Sequence, residues 1–409
     1  MNYNTNSNSI QIPKLRLEDL LSLLATIHTL INNKGFSDIV LDFSECTYIH
    51  PGAVLALCPF SCKLRNNNID ISLILPKQET KKKLFKNCNW AYFIDPKNYS
   101  KTNFKGYKQI PATQYKNPKE QDQIVQKIVE SILISIKNLE RKDFGAFEWA
   151  INEITDNVLT HASSPVGGFV QVSVISDKKI LLAVADAGLG IPETIKYAYP
   201  DKKDFEAIEL AMQEGVTRDS RLGQGNGLFG SYNICRASHG LFLVLSNRGE
   251  VRHIGDNLSM KNNPIPYEGT LIIAEIDFSI PNLLGNALSF KNKQHTTLDY
   301  IERNYEDWFS ESELVKFRIK DEAESFGSRV AGTPVRQKLL SVAKMCPEAQ
   351  INIDFSDIEI IASSFADEVI AKIYCDVGPM TFMSRFRIVS ACSLVKDLID
   401  KAISQRMLQ

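Results

Sequence analysis

Two polar residues one helical turn apart, Glu153 and Asn157, stand on the flank of an apolar stripe formed by Phe147, Ile151, Ile154 and Val158. Residues four apart on a helix face the same way. A carboxylate beside a carboxamide suits nucleotide chemistry: magnesium prefers oxygen ligands, so an Asn oxygen completes its shell alongside phosphate oxygens and waters, and a Glu can take a proton from an attacking water or hydroxyl. Two ordinary polar flank residues would look the same. A second group, Asp186-Ala187-Gly188-Leu189-Gly190-Ile191-Pro192, follows a strand-like run at residues 180–184. Glycines let backbone pass close under a flat base, and a carboxylate at a strand end can accept from the exocyclic amine of adenine; a plain glycine turn leaving a sheet is the other reading. The third group, Gly223-Gln224-Gly225-Asn226-Gly227-Leu228-Phe229-Gly230, runs into a helix at residues 231–237. Unhindered amides and a helix N-terminus together favour phosphate. The loop follows no strand in a Rossmann arrangement, and no GKS or GKT occurs, which disfavours the two commonest nucleotide folds.

The elements that must position these groups are legible as periodicity. Helices are expected at residues 121–139 and 144–162, and strands at 169–175, 180–184, 241–245 and 271–278. Upstream, an amphipathic helix at 15–31, a strand at 38–43, a helix opening at Pro51-Gly52-Ala53 and a strand at 69–75 form an α/β segment. Residues 101–118 are polar, carry Pro111 and Pro118, and read as a linker. Downstream, residues 281–315 read as a connecting segment. From 316 the alternation resumes, with helices near 333–344, 365–374 and 394–406 and strands at 351–355 and 386–389. Val40-Leu41-Asp42-Phe43-Ser44 and Ile353-Asp354-Phe355-Ser356 echo one another, each a strand ending in Asp-Phe-Ser with a helix opening some residues later.

The order of the three chemical groups, with Gly269-Thr270 opening a last strand, resembles the N box, the two glycine boxes and the closing Thr of the GHKL (Bergerat-fold) ATPases, the family of gyrase, MutL, histidine kinases and anti-sigma-factor kinases. The resemblance covers residues 119–280. It implies an α/β sandwich with a mixed sheet and an ATP lid, ATP and Mg2+ as cofactors, Glu153 as general base, Asn157 as the magnesium ligand and Asp186 as the adenine contact. Gly188, Gly190, Gly225 and Gly227 would shape the pocket with Leu228 beside them, and Thr270 would support the adenine site through Asp186 or a water. Residues 215–223 would be the lid, ending at Gly223, with Arg218 and Arg221 reaching phosphate; solvated surface is the other reading of those arginines. None of the six histidines, His28, His50, His161, His239, His253 and His295, has the setting of a phosphoacceptor in a long dimerisation helix.

Residues 316–409 resemble the STAS-like modules related to anti-sigma-factor antagonists, through Ile353-Asp354-Phe355-Ser356 and Ile361-Ala362-Ser363-Ser364-Phe365-Ala366-Asp367-Glu368. In those antagonists a GHKL kinase phosphorylates the serine at the helix start, which makes Ser363 or Ser364 the matching acceptor; a serine N-cap is the plain alternative. Residues 1–100 resemble a second, degenerate copy, with Ile49-His50-Pro51-Gly52 where the serine would stand.

Composition bounds the rest. A chain of 409 residues is long enough for two or three cores, and 47 basic against 48 acidic residues leave no basic excess for nucleic acid. Eight cysteines without a CxxC pair read as reduced structural thiols rather than a zinc site. With no signal pattern and no long apolar run, a cytoplasmic, non-membrane protein of a multidomain α/β class is expected. The leading functional expectation is a magnesium-dependent ATPase switch in bacterial signalling, acting on a protein partner or as a homodimer. An anti-sigma-type serine kinase and a nucleotide-binding scaffold without catalysis are the alternatives.

Overall fold

The computed structural model describes residues 3–102, 109–136, 139, 141–213, 227–280, 300–306 and 314–408 of a multidomain α/β protein. The chain divides into two compact units: Met1–Ile128 with Trp149–Ser289, and Val129–Glu148 with Phe290–Gln409.

The first unit opens with β1 (Asn4–Asn6), β2 (Ser9–Gln11), β3 (Lys14–Leu15), α1 (Leu20–Asn32), β4 (Asp38–Asp42), β5 (Tyr48–Ile49), α2 (Pro51–Asn66), β6 (Asp70–Ile74), α3 (Glu79–Asn87) and α4 (Trp90–Ile94). Strands β2, β4 and β6 are parallel neighbours, with β1 added antiparallel at the edge. The unit continues with β7 (Gln109–Tyr115), α5 (Pro118–Ser135), α6 (Arg141–Asn157), a π-helical turn (Val158–Ala162), β8 (Gly168–Val174), β9 (Lys179–Asp186), α7 (Ile191–Lys196), α8 (Asp204–Ala211), α9 (Gly227–Ala237), β10 (Leu241–Ile254) and β11 (Asn257–Asp277). Their sheet has the order β10-β11-β9-β8-β7. The division between the units falls within α5 and α6.

Three sequence expectations change here. The sheet is not mixed: every pairing among its described strands is antiparallel, and two of them, β8–β9 and β10–β11, are hairpins that need no crossover. Part of the stretch read as a linker, 101–118, is strand β7; Pro111 is tolerated because it sits at a register shift of an edge strand. Residues 1–100, read as a domain of their own, share one core with the second sheet. Helix α2 explains why: every residue from Gly52 to Ser61 is buried, and a helix apolar all round must be covered on all sides. Its own strands take one side. Phe169, Leu181, Ala183, Ala185, Leu243, Leu245, Leu271 and Ile273, from one face of the large sheet, join the same core. A Cβ built on Gly52 would stand 2.4 Å from Ile273 Cδ1, and Trp90 Nε1 donates to the buried Gln171 Oε1 at 2.7 Å. The opposite face of the sheet, including Val170, Val172, Leu182, Val184, Ile272 and Ala274, is buried as well, with α9 against β10 and β11.

In the second unit the ends of α5 and α6 are joined by α10 (Tyr300–Asn304), β12 (Leu314–Arg318), α11 (Ile319–Glu322), α12 (Arg329–Met345), β13 (Gln350–Asp354), α13 (Ser363–Ala366), a π-helical turn (Asp367–Ala371), α14 (Lys372–Val377), α15 (Pro379–Arg385), β14 (Phe386–Val389) and α16 (Ser393–Met407). The order β12-β13-β14 is parallel throughout. Of the segment 281–315, residues 281–299 and 307–313 lie outside the described residues.

The Asp-Phe-Ser echo is a real structural repeat. In both copies the Asp carboxylate accepts the amide of the Ser two residues on at 2.8 Å, from Asp42 to Ser44 and from Asp354 to Ser356. The Phe is buried, and its amide donates at 3.0 Å to the last residue of the next parallel strand, Phe43 to Ile74 O and Phe355 to Val389 O. Each is an Asx turn that ends a strand and turns the chain toward a helix.

Candidate functional site

The stripe predicted on α6 is the buried one: Phe147, Ile151, Ile154 and Val158 all face the interior, while Glu153 and Asn157 are half-buried on its flank. Between them Thr155 is buried and held from two sides, by Tyr115 Oη donating to its carbonyl at 3.0 Å and by Gln121 Nε2 donating to its Oγ1 at 2.9 Å. Immediately after Asn157 the helix widens into the π-helical turn, a geometry that recurs at functional sites. The carbonyl of Ala162, at the end of that turn, accepts the amide of Leu189 at 2.8 Å. This bond fastens the Asp186–Gly190 loop to the end of the helix that carries Glu153 and Asn157.

The loop is close to the limit of what backbone can fit. A Cβ on Gly188 would lie 2.1 Å from Ala162 O, and Gly190 adopts φ +84° with Asn247 Oδ1 2.7 Å from where a Cβ would stand; only glycine meets both conditions. Asp186, 2% exposed at the end of β9, accepts the Gly188 amide at 2.7 Å and also the Thr270 amide. Burial nevertheless dominates and pushes its carboxyl up from 3.8 to about 7, with the Gly188 and Thr270 amides and, farther off, Lys63 pulling the other way. Its own carbonyl accepts from Tyr267 Oη at 3.2 Å.

Ser246 organises the other side of the loop. Its Oγ accepts the amide of Ile191 at 2.9 Å, donates to Gly269 O at 2.8 Å and lies 3.0 Å from Thr270 Oγ1. Thr270 therefore supports Asp186 through its backbone amide, and its hydroxyl turns to Ser246. Just before it, Glu268 pairs with Lys63 of α2 at 2.8 Å, which holds the Glu268 carboxyl below its usual range despite partial burial.

Asp186, Gly188, Gly190 and Thr270 thus meet in one place, tied to the end of the Glu153–Asn157 helix. Gly227 and the buried Leu228 open α9. Arg218, Arg221, Gly223 and Gly225, with the rest of the expected lid, lie outside the described residues. Ser246 and Tyr267 were missed in the sequence because an isolated Ser in a strand and a Tyr in a polar stretch carry no spacing signal. In the second unit Ser363 is exposed and Ser364 half-buried in the first turn of α13, and Ala362 occupies the N-cap position, so serine capping does not account for either. One turn on, Asp367 pairs with Arg329 and Arg406, and the buried Glu368 with Arg329, Arg336 and Lys372.

Among the described residues no group of three or more His, Cys, Asp or Glu side chains could hold a metal ion by itself, and all eight cysteines are free thiols. A hard cation at this site would rest on the Asn157 oxygen together with oxygens of a ligand and water. No described helix is long and apolar enough to cross a membrane.

Residues 331–396 match the family described as STAS-like domain of unknown function (DUF4325). No curated relative and no solved structure matches the chain. The protein is thus a multidomain α/β protein with a C-terminal STAS-like domain, running from the start of α12 into α16.

Proposed function

We propose that the first unit binds Mg-ATP at the Asp186 loop and that the protein is a GHKL-type ATPase switch serving STAS-domain signalling. The observation that carries this reading is Asp186 itself: a buried carboxylate oriented by two backbone amides, beside a glycine loop with no room for a side chain, tied to a helix bearing Glu153 and Asn157. Such a group recognises a flat base with an exocyclic amine. In this reading Asn157 holds magnesium, which supplies charge neutralisation to the phosphates, and Glu153 takes the proton of the attacking water. Arg218, Arg221, Gly223, Gly225, Gly227 and Leu228 serve the phosphate side.

A serine-kinase reading has its own support in Ser363, exposed at the opening of a helix inside the STAS-like domain and unused as a cap. Labelled ATP separates the two. Free phosphate that disappears in Glu153→Ala marks the switch; label on the protein that disappears in Ser363→Ala or Ser364→Ala marks the kinase. Tight ATP binding with neither product would reduce the protein to a nucleotide-binding scaffold and sink both.

A further inference from the structure

The two copies of the Asp-Phe-Ser turn differ in what faces them. In the second copy Arg318 closes β12 and stands in register with Asp354. Its guanidinium donates through Nε to Ser356 Oγ at 3.1 Å and through Nη2 to Asp357 Oδ2 at 2.6 Å. Ser356 Oγ in turn donates to Asp354 Oδ2 at 3.0 Å, and the hydroxyl of Ser390, just past β14, bonds the same carboxylate. The planar fork of N–H donors on arginine suits a hydroxyl and an acidic side chain standing next to one another.

In the first copy the same register sets Gln11 beside Asp42. Asp42, Ser44 and Glu45 therefore correspond to Asp354, Ser356 and Asp357, and Gln11 takes the position of Arg318. Leu75 follows β6 where Ser390 follows β14. Among the described residues the Asp42 carboxylate accepts only the Ser44 amide and pairs with no cation. Glu45 pairs with Lys77 at the surface, and the exposed Gln11 turns its Oε1 to Asn4 Nδ2 at 3.4 Å. A pocket of about 210 Å³ lies here, lined by Gln11, Asp42, Ser44 and Glu45, with the buried Tyr3 and Ile12 giving it apolar surface.

Two carboxylates beside a cavity do not by themselves select a ligand. The occupied copy does, because an Asp, a Ser and an acidic residue at the same register hold a guanidinium there. We propose that this pocket binds a small free guanidino compound, whose guanidinium takes the place that Arg318 fills in the second copy. Its N–H groups bond Ser44, Asp42 and Glu45, and its short aliphatic stem lies against Tyr3 and Ile12. The volume is below the roughly 300 Å³ at which sites for drug-sized ligands begin, which suits a molecule about as large as an arginine side chain.

Titration calorimetry of the full chain without nucleotide tests this, with agmatine as the probe and N-carbamoylputrescine as the control, since the latter replaces the guanidinium by a neutral urea and keeps the rest of the molecule. Agmatine should bind saturably, one per chain, and the urea at least about tenfold more weakly, through loss of charge-assisted hydrogen bonds. Asp42→Asn keeps a residue that forms the same turn and should weaken agmatine by about tenfold or more. Gln11→Arg supplies the guanidinium from the chain itself and should abolish agmatine binding, with the melting temperature of the ligand-free protein kept or raised. A folded parent that does not bind agmatine at millimolar concentration, equal binding of the urea, or an affinity that Asp42→Asn leaves unchanged overturns the proposal. A folded Gln11→Arg that still binds agmatine as the parent does overturns it too.

Discussion

Replacing Asp186 by Asn should change how the stability of the first unit depends on pH. In the folded protein this carboxyl is pushed up from 3.8 to about 7, so between about pH 4 and pH 7 the native state holds a proton that the unfolded chain has released. Stability then falls as pH rises through that window and levels off above it, because the slope follows protons bound unfolded minus protons bound folded. Moving a carboxyl over that range corresponds to about 4 kcal/mol from this one group, or roughly 10 °C in melting temperature for a unit of this size. Asn keeps the shape and an acceptor oxygen for the Gly188 amide without the charge, so Asp186→Asn should lose this component and be the more stable protein at pH 8. Nucleotide binding should move the opposite way. The ionised carboxylate is the acceptor for an exocyclic amine, so affinity in the parent should weaken by up to about tenfold per pH unit below 7, and the variant should bind more weakly at pH 8 by about 10- to 100-fold. Heat scans of ligand-free parent and variant from pH 5 to pH 8, with a nucleotide titration at each pH, provide the check. Parallel melting profiles across that range would refute the reasoning.

Gly188→Ala puts a methyl 2.1 Å from the Ala162 carbonyl; the loop must leave the α6 end, so nucleotide affinity should fall by at least about tenfold while circular dichroism stays native. Ser246→Ala strips the Ile191 amide and the Gly269 carbonyl of their shared partner and should lower unfolding free energy by about 1–3 kcal/mol, read by urea denaturation. Removing residues 1–102 uncovers the sheet face carrying Leu181, Ala183, Leu243, Leu271 and Ile273, and the shortened chain should aggregate or bind a hydrophobic dye rather than behave as an independent domain. Phe355→Ala, which empties a fully enclosed position beneath the Asx turn of the STAS-like domain, should cost about 3–5 kcal/mol in that unit.

The elements of the STAS-like domain were readable because each strand is a short apolar run closed by a polar turn, and strand β14 falls on its expected residues 386–389. Helix α6 was equally plain, since its apolar residues recur every three or four positions. Strand β7 was hidden by Pro111, whose presence argues against a strand unless it lies at an edge with a shifted register, as here. The outer half of the β10–β11 hairpin, from Asn247 to Tyr267, alternates no apolar face and was not visible as strand. That α2 bridges two sheets could have been inferred from its unbroken apolar run, but which sheet it meets is a long-range fact. In the candidate site, Asp186 and its glycines announced themselves through spacing. Ser246 and the Lys63–Glu268 pair did not, because they are brought in from positions distant in the chain.

Titration calorimetry of the full chain with Mg-ATP, alongside Asp186→Asn and Asn157→Ala, tests the central claim most directly. The account predicts saturable binding of one nucleotide per chain, weakened by either substitution and, for Asn157→Ala, no longer strengthened by magnesium. Absence of binding to the folded parent, or binding indifferent to both substitutions, would contradict it.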